Sequence, residues 1–549
     1  MVTTWPLVLH LPSALPLGTE TAATIPLFDL WTLWWSGGRL LHGYVGLWDA
    51  PVFHPTTGAL AFSEPLLLPG ALAAPLIALR APPALAHNLV LLAVLAANGV
   101  FGCRLARAVG AARLPSLMGA ISIVALPFFA KLQGELPILA VSGALAALDG
   151  VIRFAASGRL AHATQAGAGL IAQALCCQQL TAFACMFTAA AALLALRQQG
   201  FSRQAIARLG GALVIAGALV YGLGRVPLAV HAREGFTRSV DTVQSLSAAP
   251  LDFFTRPSHA IMPLPPREQA GTYTGGLFPG IILTVLAIAG LVAPSNDSAQ
   301  ARWRWFAAGG AVGGVLLALG LNLSVWGVRP FALLRALPGI DQLRSVFRAA
   351  VFEQLPMAIL AALGLHALWR RLGQGRRATA IVLAAGLLAA GENLSVPAPL
   401  LAVPGTPRAD WTAFVAAQPA GTVVAHVPFP TGRAVEDFAG EAHRLFAQLD
   451  HGKPLVNGYA SNVPAIHREF MAAMAAEFPK AILACALHTV FGANLLVVDQ
   501  PWLAAHRAGF EAEVGPLTAP LYADATVAIF RLTPPTDLCP PMRLQIPGR

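Results

Sequence analysis

From residue 84 onward the chain alternates long apolar stretches with short polar connections, and the period changes after Pro397. Apolar runs bounded by Arg, or by Pro and Gly, lie near 84–103, 114–130, 136–153, 161–177, 181–196, 207–228, 276–293, 305–322, 349–369 and 378–395. A hydrocarbon core about 30 Å thick needs roughly 20 apolar residues of helix, so each run is read as a transmembrane helix. Their Ala, Gly and Leu content suits close helix contact in lipid. The run at 64–82 is as apolar but is broken by Pro65, Pro69 and Pro75, and is read as a re-entrant or interface-lying helix pair. Residues 26–48 set Trp31, Trp34, Trp35 and Trp48 among polar groups, the pattern of an amphipathic helix at the headgroup level. Beyond Pro397, strand-like runs at Thr422–Val427, Leu495–Val498 and Thr526–Leu532 alternate with helical stretches near 409–418, 433–449, 464–476 and 479–490. The expected architecture is a polytopic all-α membrane bundle over 1–395, with a first outer loop at 15–83, followed by a small α/β domain over 396–549.

Composition agrees with lipid as the main solvent. The 549 residues are 56% hydrophobic and 11% charged, against about 25% charged in soluble proteins. The formal charge of +10 does not point to nucleic acid, because the arginines fall in small groups between apolar runs. Arg104, Arg107 and Arg113 form one group, Arg153 and Arg159 the next, then Arg197, Arg203 and Arg208. Arg302 and Arg304 follow, and Arg370, Arg371, Arg376 and Arg377 complete the series. By the positive-inside rule these loops are cytoplasmic, which leaves 15–83, 229–275, 323–348 and the C-terminal domain outside. That topology requires an outward-running helix before residue 15. Val2–Leu15 is short for it and contains Pro6 and Pro12, so the helix is expected to begin upstream of Met1. The sum is about eleven helices, with the N-terminus cytoplasmic and the C-terminal domain periplasmic, in a bacterial inner membrane. Cys103, Cys176, Cys177 and Cys185 lie in apolar runs as small hydrophobes, whereas Cys485 and Cys539 lie in the soluble domain, where a disulfide between them is open.

No phosphate-cradling glycine loop, zinc spacing or nucleophile elbow is present. Ionisable groups meet aromatic residues in the first outer loop, at Glu20, Asp29, Asp49, His54 and Glu64. Each is read either as an interfacial group satisfied by water, caps or arginines, or as a site residue. Lys131 and Glu135 occupy an outer helix turn. Arg344 and Arg348 are four apart and would share a helical face, where they anchor lipid phosphates or hold a donor phosphate. Asp149 is read as the partner of Arg153 at i+4, and Glu392 and His366 as interfacial. In the soluble domain Arg433, Glu436, Asp437, Glu441, His443, Asn457 and Tyr459 either bind an acceptor glycan or dock the domain on the membrane loops.

The stretches TIPLFDLWTLWW (24–35) and LWDAPVFHPTTGALAFSEPLLLPG (47–70) resemble the first-loop pattern of bacterial proteins of the GT-C class of membrane glycosyltransferases. The resemblance continues at LPGIDQLRSVFR (337–348) and at PLVNGY (454–459). It implies a polyprenyl-phosphate sugar as donor, a glycan, lipid or protein as acceptor, and membrane lipids as surroundings. It also implies a carboxylate early in the first outer loop, as general base or as ligand of a divalent cation (Mg or Mn). Asp29 is placed first for that role and Glu20 second, with Arg344, Arg348 and Lys131 on the donor phosphate. Asp49, His54, Glu64 and Glu135 are further outer-face candidates. The chain departs from the pattern where relatives carry Gly-Asp-Pro before the helix: the position of that Asp holds Ile25. Ser36-Gly37-Gly38 stands where more polar or acidic residues are expected, and His54 where relatives have Tyr. The expected function is a polyprenyl-phosphate-sugar-dependent glycosyltransferase at the periplasmic face. Its rivals are a non-catalytic scaffold or lipid-binding relative, and a secondary transporter, which the scarcity of ionisable groups inside the helices disfavours.

Overall fold

A backbone withdrawn from water must satisfy its polar groups within its own segment, so the apolar runs fold as helices. A computed structural model describes residues 2–18, 23–269, 273–294, 297–337, 339–403, 410–534 and Cys539. Among the described residues, seven helices are long and apolar enough to cross a membrane. They are Pro83–Ala108, Arg113–Lys131, Leu136–Ser157, Gln178–Gln198, Arg203–Glu234, Ser298–Asn322 and Val346–Arg371. Leu160–Cys176, Ile281–Val292 and Arg376–Gly391 occupy three further expected positions with 17, 12 and 16 residues. The chain is a multi-pass, mostly helical membrane protein.

The helix expected over 2–15 does not form. Two 3-10 turns, Val2–Thr4 and Leu7–Leu9, lead instead into strand β1 (Ala14–Pro16). Pro6 and Pro12 supply no amide donors and break any helical ladder across this segment. β1 pairs with β2 (Leu400–Ala402). Nearby, the Leu17 amide donates to the Pro399 carbonyl at 2.9 Å and the Ala398 amide to the Trp5 carbonyl at 2.7 Å.

The chain divides into two compact units. The first comprises Met1–Thr21, Asn88–Gly224 and Thr237–Leu401; the second comprises Ala22–His87, Arg225–Phe236 and Ala402–Arg549. In the first unit Val346–Arg371 is the central helix, buried along most of its length, and Ile281–Val292 lies along it. That contact runs through glycines. A Cβ at Gly290 would fall 2.0 Å from the Leu360 carbonyl oxygen, and one at Gly364 would fall 2.0 Å from that of Leu286. Small residues let the two backbones touch in place of side chains. Asp149 is neutralised as its spacing suggested, by Arg153 at 2.7 Å, and also by Arg104 at 3.2 Å.

In the second unit the tryptophan-rich segment forms helix Thr24–Leu40, most of which is buried against protein. It packs between helices Leu67–Ala78 and Ala439–His451, with Phe28, Trp31 and Trp35 buried. The Trp31 indole N–H donates to Gln448 Oε1 at 2.7 Å and that of Trp35 to the Leu47 carbonyl at 2.8 Å. An indole needs an apolar bed and one acceptor, and protein supplies both here, a choice the local pattern does not reveal. The run at 64–82 yields a single helix, Leu67–Ala78, rather than a pair, and its 12 residues are too few to span a bilayer.

The C-terminal part builds a four-stranded sheet from β3 (Val424–Val427), β4 (Leu495–Asp499), β5 (Thr518–Ala523) and β6 (Val527–Leu532), in the order β3-β4-β6-β5. β3 and β4 are parallel; β6 runs antiparallel to β4 and to β5. The two parallel strands are apolar along nearly their whole length because helices cover both faces. β5 was not expected from the sequence. It carries Pro520 at an irregularity in register, which only an edge strand tolerates. Cys485 and Cys539 are joined in a disulfide with a Cα separation of 5.4 Å.

Candidate functional site

The polar turn between helices Arg113–Lys131 and Leu136–Ser157 is folded inward. Lys131 is fully buried, and its ammonium donates to both carboxylate oxygens of Glu268, at 2.8 and 2.9 Å. Gly18 makes room for the turn. At φ +67°, a Cβ there would lie 2.3 Å from the Lys131 carbonyl oxygen. Glu135 pairs with the Arg348 guanidinium and accepts the Tyr273 hydroxyl at 2.5 Å; Arg348 also donates to that hydroxyl at 2.7 Å and to Gln179 at 3.0 Å. Burial drives the Tyr273 phenol well above its ordinary value, so it stays protonated and donates. Burial likewise lifts the Glu268 carboxyl above the usual range, while Lys131 opposes the lift. A third buried pair closes the outer segment. Arg256 donates to the Glu392 carbonyl at 2.7 Å, and Glu392 in turn caps helix Ile281–Val292 through the amides of Ile281 and Leu283, both at 2.9 Å. Glu392 is therefore a buried cap and not an interfacial group.

Arg344 and Arg348 do not share a helical face. Arg348 sits in the 3-10 turn Val346–Ala350 and Arg344 in the irregular segment before it. Two of the three cations assigned to the donor phosphate, Lys131 and Arg348, are thus held by carboxylates. Arg344 has a different neighbour. Burial, and next the Arg344 guanidinium, hold Arg238 down to about 10. A guanidinium that feels a second positive charge favours an anion nearby. Arg238 escaped sequence reasoning because the charge that acts on it lies 106 positions away (344 minus 238). Glu353 escaped it too: it lies in the central helix, 6% exposed, and its Oε2 has no hydrogen-bond partner among the described residues.

The outer-loop candidates belong to the second unit, except Glu20, which lies outside the described residues. Asp29 is buried on helix Thr24–Leu40, 5% exposed. Asp49 is exposed and caps a turn through the Gly58 amide at 2.9 Å. Glu64 is half-buried just before helix Leu67–Ala78. The His54 amide donates to the Leu455 carbonyl at 2.9 Å and its carbonyl accepts from His467 Nε2 at 3.1 Å. The Phe53 amide bonds the Asn457 carbonyl at 3.2 Å, and a Cβ on Gly458 would strike the Phe53 ring at 2.9 Å. Phe28 meets Tyr459 edge-on, 5.3 Å between centroids. Two separated sequence motifs, LWDAPVFHP and PLVNGY, are thus opposite sides of one contact. Among the described residues no group of three or more His, Cys, Asp or Glu side chains gathers as a metal site.

Buried imidazoles make this unit acid-sensitive. Burial holds His451 and His467 down to about 4. The unfolded chain takes up protons near pH 6.5 while the folded rings remain neutral, so stability falls as pH drops from about 6.5 to 4. Each ring contributes on the order of 3 kcal/mol to that loss. Thermal unfolding across this window is expected to show a falling midpoint, and His467→Gln is expected to flatten the slope.

No protein-family model matches the chain, and no curated protein does. Its structure is similar to that of the arabinofuranosyltransferase AftD from Mycobacteria, with a TM-score of 0.55 and 18% identity, over 96% of this chain and 39% of that one. A mutant form of AftD gives 0.56 at 18% identity, over 96% and 41%. An oligosaccharyltransferase from Archaeoglobus fulgidus, crystallised with Zn and sulfate, gives only 0.39 at 13% identity, over 92% and 69%, and carries no argument. The chain spans about two-fifths of the length of the AftD structures it matches. At this identity the likeness concerns the fold alone, which the chain shares with the AftD structures.

Proposed function

We propose that the chain is a glycosyltransferase that takes a sugar from a polyprenyl-phosphate donor at the periplasmic face of a bacterial inner membrane. The likeness to an arabinofuranosyltransferase over 96% of the chain carries this reading. The buried Asp29 carboxylate would accept the proton of the acceptor hydroxyl as that oxygen bonds the anomeric carbon. The bond from the anomeric carbon to the phosphate oxygen breaks, and polyprenyl phosphate leaves with the electron pair. Arg344 and Arg238 would stabilise the charge on the leaving phosphate. With the arginine loops in the cytoplasm, the C-terminal domain would lie on the outer side. The Cys485–Cys539 disulfide supports that side, since disulfides persist in oxidising compartments. A second reading, a lipid-binding scaffold without catalysis, draws on the carboxylate pairing of Lys131 and Arg348.

Arg344→Ala and Arg238→Ala are each expected to weaken binding of a fluorescent polyprenyl phosphate by about tenfold or more and to reduce its salt dependence. Fluorescence titration in nanodiscs at several ionic strengths reads this out. Unchanged affinity in both variants sinks the donor-phosphate assignment.

A further inference from the structure

The second unit contains a cavity of about 670 Å³ that the transfer step does not use. It opens beyond the carboxyl ends of the parallel strands β3 and β4, the position where open α/β sheets hold ligands. Its walls include Phe429, Asp437, Glu441, Arg444, Asp499 and Trp502. Glu441 is 1% exposed, and only its Oε1 is engaged, by Arg444 at 2.6 Å and Asn457 at 3.1 Å. Glu441 Oε2 is buried with no hydrogen-bond partner among the described residues. A buried unpaired carboxylate oxygen is expensive, and a ligand donor at that place removes the penalty.

The lining also says which ligand. Asp437, Glu441 and Asp499 outnumber Arg444, so a phosphate or carboxylate would be repelled. Arg444 already spends one nitrogen on Glu441 and another on Asp499, at 3.4 Å, yet a guanidinium has five N–H donors to place. The free partners are therefore an acceptor oxygen beside surplus donors, which vicinal hydroxyls satisfy together: one donates to Glu441 and its neighbour accepts from Arg444. At the rim Trp502 and His506 stack with centroids 4.2 Å apart, and Phe478 lies 5.6 Å from Trp502. Flat aromatic faces beside polar groups suit a ring with an apolar C–H face and hydroxyl edges.

We infer that this cavity is a binding site for a neutral saccharide, engaged through Glu441, Arg444 and Trp502. That the saccharide is the acceptor rests on the transferase reading; its binding does not. The test is isothermal titration of the full-length protein in nanodiscs, without donor lipid, using linear arabinofuranose, mannose and N-acetylglucosamine pentasaccharides. At least one is expected to bind with a Kd of about 1 mM or tighter. Trp502→Ala, a rim change, and Glu441→Gln are each expected to weaken it about tenfold with the unfolding midpoint preserved for Trp502→Ala. Transfer is measured separately, with donor lipid present, so a failure of catalysis and a failure of this site are read apart. Absence of binding by all three pentasaccharides, or binding that Trp502→Ala and Glu441→Gln both leave unchanged, overturns the inference.

Discussion

Replacing Asp29 by Asn is expected to lower the rate of sugar transfer by about 10²–10⁴-fold, the usual contribution of a general base. An alcohol is a poor nucleophile near neutral pH, and the acceptor proton must leave as the new bond forms. Asn keeps the size of the side chain and loses only its ability to take that proton. Asp29 is 5% exposed on a helix packed on both sides, so the near-isosteric change is expected to leave the unfolding midpoint within a few degrees. The measurement is initial-rate transfer in proteoliposomes, with circular dichroism confirming the fold. Glu20→Gln is the companion: a large loss there with an unaffected Asp29→Asn moves the base to Glu20.

The second large effect is one of stability. Arg348→Met leaves Glu135 as a buried charge whose main cationic partner is gone, and is expected to destabilise the protein by about 3–5 kcal/mol. Replacing both members, Arg348→Met with Glu135→Leu, is expected to recover most of that loss, because the penalty lies in the orphaned charge. Tyr273→Phe removes one bond to each partner and is expected to cost about 1–2 kcal/mol. Thermal unfolding of the wild type, Arg348→Met, Glu135→Leu and the double variant in one detergent completes the cycle. Additive losses, with no recovery in the double variant, contradict a coupled buried pair.

Much of the membrane part was legible because its signal is local. Length, apolarity and flanking arginines locate ten helices to within about seven residues of their observed ends, and among the described residues seven of them are long and apolar enough to cross a membrane. The Asp149–Arg153 pair was also within reach, by i+4 spacing, whereas the Cys485–Cys539 bond was left open. What could not be read is decided by partners distant in sequence. Tryptophans that suit a headgroup layer serve equally as the core of a helix sandwich, and nothing between residues 24 and 40 says that Gln448 supplies the acceptor. Lys131 and Arg348 look like free cations until Glu268 and Glu135 are found beside them. The span expected at 2–15 was demanded by charge bookkeeping against the local evidence of Pro6 and Pro12, and the prolines prevailed. Asp29 remains the sequence's choice of base, and its burial is compatible with that role.

The most direct test incubates the purified protein in liposomes with radiolabelled polyprenyl-phosphate sugars, pentose and hexose, together with an oligosaccharide acceptor, and follows whether label leaves the lipid. Transfer of label from at least one donor to the acceptor, abolished by Asp29→Asn, is the expected result. Donor lipid that binds and keeps its label in every combination would contradict catalysis and leave the protein as a lipid-binding scaffold.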